Sequence, residues 1–206
     1  CLVGSEMCIR DRYISLDLQG TLSDSKFSDN FWIETIPQKY SEKFNIDLQE
    51  AKKILKEKFK KYGIYNILYY DDKYWSEYLE FDIKQELDKS KIRPSINKQL
   101  YEYLSKINLP KIIVSTTTNL FINYELGEKV KDFEKIYSAC DYFGIGGKTK
   151  EVYEKITEEL NVKPSEILHI GDNYVMDVEN AEKVGVNSIL YNDDIKNLMY
   201  NIKKII

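Results

Sequence analysis

Short apolar runs that end in a reactive side chain constrain this chain more than any other feature. Tyr13–Asp17 reads YISLD, Lys111–Ser115 reads KIIVS, and Glu166–Ile170 runs directly into Gly171-Asp172. Runs of this length, rich in Ile, Leu and Val and bounded by turn residues, predict strands buried on both faces. Lys135–Ala139 and Asn187–Tyr191 are expected as further strands. Helical periodicity lies between them. Ile96, Leu100, Tyr103, Leu104 and Ile107 share one face of a helix over 95–107; others are expected around 120–130, 151–160 and 175–184. Strands alternating with helices pair in parallel, so the expected fold is α/β: a Rossmann-like, doubly wound parallel sheet in three α/β/α layers.

Residues 26–91 break that alternation. They lack β-branched clusters, and Leu48, Ala51, Ile54, Leu55, Phe59 and Tyr62 recur at spacings of three and four behind Asp47, an expected N-cap. The segment is read as a helical insertion, leaving 13–25 and 92–206 as the main domain, re-entered at Pro94. Its aromatic side chains, among them Tyr65, Tyr69, Tyr70, Tyr74 and Trp75, would form the insertion's own core or line a cavity.

Composition excludes several classes. The 206 residues carry a net charge of −4 with lysines and carboxylates interleaved, so no basic stripe points to nucleic acid. The longest apolar runs are too short to cross a bilayer. Cys1–Arg12 (CLVGSEMCIRDR) resembles the translation of a sequencing-library adapter and is set aside from fold reasoning as non-native. With Cys1 and Cys8 set aside, Cys140 is left without an internal disulfide partner, and a reducing, cytoplasmic setting is expected.

The chemistry gathers where the strands end. In an open parallel sheet, ligands bind beyond the carboxyl ends of the strands. Asp17, Ser115, Lys148 and the Gly171-Asp172…Asp177 group all follow or flank such an end. An Asp carboxylate can attack phosphorus and split hydrolysis into two easier steps. Bringing that negative group to a phosphate requires cations. Asp17, Asp172 and Asp177 are hard oxygen ligands suited to Mg²⁺, and Lys148 adds a fixed positive charge. Ser115 and the backbone N–H groups around Leu18 would cradle the phosphate.

Asp17-x-x-Gly-Thr-Leu, the apolar run closing on Ser115, a lysine ahead of a helix, and His169-Ile-Gly-Asp172-x4-Asp177 together resemble the four motifs of the haloacid dehalogenase-like hydrolases, over nearly all of the chain after Arg12. The resemblance implies a Mg²⁺-dependent phosphatase acting on a small phosphorylated metabolite, with Asp17 as nucleophile and the backbone carbonyl of Gln19 among the metal ligands; monomer and homodimer both stay open. It also implies that 26–91 is a cap over the active site, of the superfamily's first type, and that Asp24 supports its hinge.

Two departures matter. Gln19 stands where the phosphatases usually have a second Asp that protonates the leaving oxygen, and an amide has no titratable proton to give. Loss of a general acid/base costs roughly 10²–10⁴ in rate. Slow turnover, substrates with good leaving groups, an acid/base supplied by the cap, or phosphate binding without turnover would each follow. The carbon–halogen branch of the family also lacks that Asp, but it lacks the final Gly-Asp too. Thr149 replaces a usual Pro, which leaves Lys150 as a rival to Lys148; Lys148 is preferred. His169, the only histidine, is read as a packed core residue.

Overall fold

The computed structural model describes residues 12–205. The adapter-like segment therefore lies, Arg12 apart, outside the described residues.

Five parallel strands form one sheet: β1 (Tyr13–Leu16), β2 (Lys111–Ser115), β3 (Lys135–Ser138), β4 (Ile167–Gly171) and β5 (Asn187–Leu190), in the order β3-β2-β1-β4-β5. Register pairs Leu16 with Ile113 on one side and with Ile170 on the other. The chain winds outward from β1 through β2 and β3, then returns to place β4 on the opposite flank. That reversal puts the topological switch between β1 and β4, and a crevice opens at such a point.

The helices in chain order are α1 (Lys26–Asn30), α2 (Ile36–Phe44), α3 (Leu48–Tyr62), α4 (Asp72–Leu79), α5 (Ile83–Lys89), α6 (Lys98–Ser105), α7 (Asn119–Leu126), α8 (Ala139–Phe143), α9 (Lys150–Leu160), α10 (Asn180–Glu182) and α11 (Ile195–Ile205). One sheet face packs Leu16, Ile113, Leu168 and Ile170 against Leu100, Leu104, Ile122, Leu198 and Ile202 of α6, α7 and α11. The other packs Ile112, Val114 and Ile167 against Val152, Tyr153, Ile156 and Ala181 of α9 and α10. These two apolar layers make the three-layer α/β/α arrangement.

The boundaries differ from the periodicity where side chains take over backbone bonds. The helix expected over 95–107 starts at Lys98, because Asn97 caps it by accepting from Leu100 N at 3.1 Å. Ser95–Asn97 pair instead with the turn after β1: Asp24 N donates to Ser95 O and Asn97 N to Leu22 O. The helix expected over 175–184 is a π-helical turn, Tyr174–Glu179, followed by α10. Asn173 and Asp177 lock that wide turn reciprocally, with Asp177 N donating to Asn173 O and Asn173 N to Asp177 Oδ2.

Residues 26–89 contribute α1–α5 and no strand. Asp47 caps α3 by accepting from Gln49 N and Glu50 N, and Gly63 ends it at a φ of 69°. Phe27, Phe31, Ile36, Leu55, Trp75, Leu79, Ile83 and Leu87 form a third apolar cluster, which Phe121 of α7 joins. Thus α7 is buried between the sheet and the helical segment. No helix among the described residues is long and apolar enough to cross a membrane. Trp75 is fully buried, stacks on Phe59 at 4.1 Å and donates to Tyr69 O. Trp75→Ala should destabilise the protein by about 3–5 kcal/mol in urea unfolding.

Candidate functional site

β1 and β4 deliver their chemistry side by side. Asp17 follows β1, and its N–H donates to Ile170 O at 2.8 Å. Asp172 follows β4. Oxygens of Asp17, Asp172 and Asp177 all lie within 4.8 Å of one another. Asp17 and Asp177 are 5% and 0% exposed, whereas Asp172 faces solvent. Two glycines make this approach possible. Gly20 takes a φ of +89°, and a Cβ there would overlap the Asp172 carboxylate; a Cβ on Gly171 would overlap that of Asp177.

Lys148 reaches this cluster from the loop before α9, its own carbonyl held by Asn180 Nδ2 at 2.9 Å. Its ammonium is 2% exposed, donates to Asp17 Oδ1 and pairs with Asp177 Oδ1. Lys150 points outward to Glu154 at 3.1 Å. Ser115 is buried at the end of β2, where its hydroxyl accepts from Thr117 N at 3.3 Å. Leu18 turns its side chain into the sheet core.

His169 is fully buried, yet it belongs to this network. Its Nε2 is 3.1 Å from Asp177 Oδ1 and its Nδ1 is 2.7 Å from Ser15 Oγ. An ionised carboxylate only accepts, so Nε2 carries the proton and Nδ1 accepts from Ser15. Burial holds the imidazole below its ordinary pKa, in keeping with that neutral tautomer.

The electrostatics separate the two buried carboxylates. Burial drives Asp17 up to about 7, against the pull of Lys148, while the charges of Asp177 and Asp172 push it further up. Asp177 is held well below the ordinary range despite its burial, by Lys148 and His169. Its oxygens already face three donors: Lys148, His169 and Asn173 N. Asp17 meets Lys148 through Oδ1, and the Asp172 carboxylate is exposed. A divalent cation fits this donor set: three carboxylates, all hard oxygen donors, with ligand atoms within 4.8 Å of one another.

The Gln19 side chain turns toward α7. Its Nε2 donates to Glu125 Oε1 at 2.5 Å, and Ser23 Oγ donates to Glu125 Oε2. Glu125 lies on α7 and is 5% exposed. Burial lifts its carboxyl to about 7 even with both donors pulling it down. The periodicity of NLFINYEL (119–126) held a signal for it, as Glu125 is the single charged residue of a helix apolar on most sides.

Beyond Gln19 and Thr117 a cavity of about 880 Å³ opens toward the helical segment. Trp32, Phe59, Tyr69, Tyr70 and Phe121 line it, with Asp29 and Lys52 among its charged groups. Tyr69 and Tyr70 were among the expected aromatic candidates; Tyr74 and Trp75 instead pack in the segment's interior, and Tyr65 is 53% exposed. Phe59 belongs to the apolar face expected for α3, whereas Trp32 carries no distinguishing sequence signal.

A family model for haloacid dehalogenase-like hydrolases matches residues 12–185. The chain belongs to that family. Solved structures share the fold of this haloacid dehalogenase-like hydrolase at low identity. A HAD phosphatase from Thermococcus onnurineus superposes with a TM-score of 0.77 at 17% identity, covering 94% of this chain and 97% of its own. A HAD family enzyme from Bacteroides thetaiotaomicron, solved with magnesium and inorganic phosphate, gives 0.63 at 16% identity, covering 91% and 98%. A HAD-superfamily hydrolase from Ehrlichia chaffeensis gives 0.56 at 21%, covering 95% and 98%. No curated protein matches the sequence.

Ionisation of Asp17 sets a pH dependence. Its pKa is raised over the ordinary 3.8, so its contribution to stability is present below about pH 4 and is lost as pH rises through about 7. His169, lowered by burial, acts in the opposite sense, so the informative quantity is the gain on adding Mg²⁺. With Asp17 as a ligand of that ion, the gain in melting temperature would grow between about pH 5.5 and 8 and Asp17→Asn would flatten it, read by differential scanning fluorimetry.

Proposed function

We propose that this hydrolase is a Mg²⁺-dependent phosphohydrolase that works through an aspartyl phosphate on Asp17. The observation that carries the reading is the meeting of Asp17, Asp172 and Asp177 around a buried Lys148 at the switch point of the sheet. Such a set has no structural necessity, since burying a lysine and two carboxylates costs more than an apolar packing of equal volume. A magnesium-loaded structural neighbour from Bacteroides thetaiotaomicron supports the choice of ion.

Asp17 Oδ2 attacks phosphorus in line with the leaving oxygen, and the phosphorus–oxygen bond to the leaving group breaks. Lys148 holds Asp17 in orientation and offsets the charge that gathers there. Ser115 Oγ, at the end of the neighbouring strand, donates to a phosphate oxygen. Water then attacks phosphorus of the aspartyl phosphate, freeing the Asp17 carboxylate and inorganic phosphate. Asp17, Asp172 and the Gln19 backbone carbonyl would hold Mg²⁺, whereas Asp177, expected from the sequence as a further ligand, is engaged by Lys148, His169 and Asn173 N and orients the others; the ion would supply charge screening and alignment of the phosphate.

Residues 26–91 act as the cap, and the leaving group extends past Gln19 and Thr117 into the cavity under it. Because Gln19 gives no proton, the leaving oxygen departs as an anion or takes its proton from water. The enzyme therefore favours acyl and aryl phosphates over alkyl phosphates. The same three carboxylates argue against metal-free halide displacement.

Turnover of a series of substituted phenyl phosphates and one acyl phosphate, with and without Mg²⁺, tests this. The expected outcome is a kcat/KM that rises steeply as the leaving-group pKa falls, is abolished by chelation, and drops by at least about 10³-fold in Asp17→Asn. Binding of phosphate without turnover of any substrate would favour a silent phosphate-binding protein, and halide release in excess chelator would favour the dehalogenase branch.

A further inference from the structure

Glu125 is the one buried carboxylate near the site that the proposed chemistry does not use, and it grips the site's most unusual residue. Its two oxygens take separate donors, Gln19 Nε2 at 2.5 Å and Ser23 Oγ. Those donors stand at the two ends of the tight turn after β1. Within the turn, Gly20 N donates to Ser23 O and Ser23 N donates to Leu18 O, both at 2.7 Å. At its tip Gly20 presses so closely on Asp172 that no Cβ would fit. The turn thus lies between α7 on one side and a metal-ligand candidate on the other.

We infer that Glu125 is a positioning residue for the cation site: it clamps Gln19 and Ser23, and through the turn it fixes the Gln19 carbonyl and the Gly20 contact with Asp172. The inference rests on the proposed Mg²⁺ site. It also explains why Gln rather than Asp stands at position 19. An amide can donate to a buried carboxylate, whereas a second carboxylate facing Glu125 would meet like charge with no cation between them. Restoring the usual acid by Gln19→Asp alone would therefore break the clamp rather than raise activity. A carboxylate 5% exposed with two side-chain donors is also what simple satisfaction of a buried charge would require, so the test must read the cation and not stability alone.

The bond can be reversed without changing side-chain length. Glu125→Gln leaves one acceptor oxygen for two donors; Gln19→Glu sets two carboxylates face to face; the double variant Gln19→Glu/Glu125→Gln restores both bonds with one reversed. Calorimetric titration with Mg²⁺ alone, alongside melting temperature, separates the roles. Each single variant should weaken Mg²⁺ binding by about fivefold or more, and the double variant should return to within about twofold of the wild type, a coupling of the size expected for residues in contact. Losses that multiply in the double variant, or Mg²⁺ binding in Glu125→Gln within twofold of the wild type, would overturn the inference. Should a single variant fail to fold, Ser23→Ala removes one arm of the clamp with little volume; about threefold weaker binding is then expected, and unchanged binding overturns the idea. Turnover of phenyl phosphate is measured in parallel. Its absence in a wild type that shows the Mg²⁺ pattern would defeat the phosphohydrolase reading and leave the clamp standing.

Discussion

One buried ammonium holds this site together. Lys148 is 2% exposed between Asp17 and Asp177, which come from opposite sides of the sheet's switch point. Removing its charge would leave two buried carboxylates side by side with only His169 and Asn173 N to offset the charge of Asp177, a loss of the order of 3–5 kcal/mol. Much of the neighbouring structure serves that ammonium. Asn180 fixes its carbonyl, His169 and Asn173 hold Asp177 in place, and Gly171 keeps the space between β4 and the π-helical turn free of side-chain atoms.

The same arrangement gives the two buried acids different characters. Asp177, facing three donors, stays ionised and orients its neighbours. Burial pushes the pKa of Asp17 to about 7 against the pull of Lys148, and in the proposed chemistry this carboxyl is the one that meets the cation and the phosphorus atom. Paired groups whose surroundings drive their pKa values apart are a common way of dividing roles within one site. In the proposed reading the aromatic cavity beyond Gln19 takes the rest of a substrate, and α7 is shared by that cavity, the sheet core and the turn after β1.

Much of this was legible in the sequence because it rests on short-range rules. The five strands sit within a residue or two of the expected runs; the central three, β1, β2 and β4, are the apolar, buried ones, while the edge strands β3 (KIYS) and β5 (NSIL) carry a weaker signal. The π-helical turn at Tyr174–Glu179 was not legible: it is set by the hydrogen bonds between Asn173 and Asp177, not by periodicity. Asp17 and Asp172 are legible because each directly follows a strand, while Lys148 and Asp177 lie further on, in the loop before α9 and in the π-helical turn, and reach the same point only through the fold. Glu125 was missed because its role comes from the fold, which lays α7 across the turn after β1. His169 was read as a core residue, and its burial agrees, but its ring nitrogens show a part in orienting Asp177 that spacing alone does not reveal. Asp47 as the cap of α3 needed no tertiary information at all.

The central claim is that carboxylates from separate strands share one divalent ion beside a nucleophilic side chain. A crystal structure grown with Mg²⁺ and inorganic phosphate addresses it directly. It should show a single ion with oxygens of Asp17 and Asp172 at about 2.0–2.1 Å, phosphate against Ser115 and Lys148, and Asp177 still bound to Lys148. An ion held away from Asp17, or a phosphate bound outside the β1–β4 crevice, would contradict it.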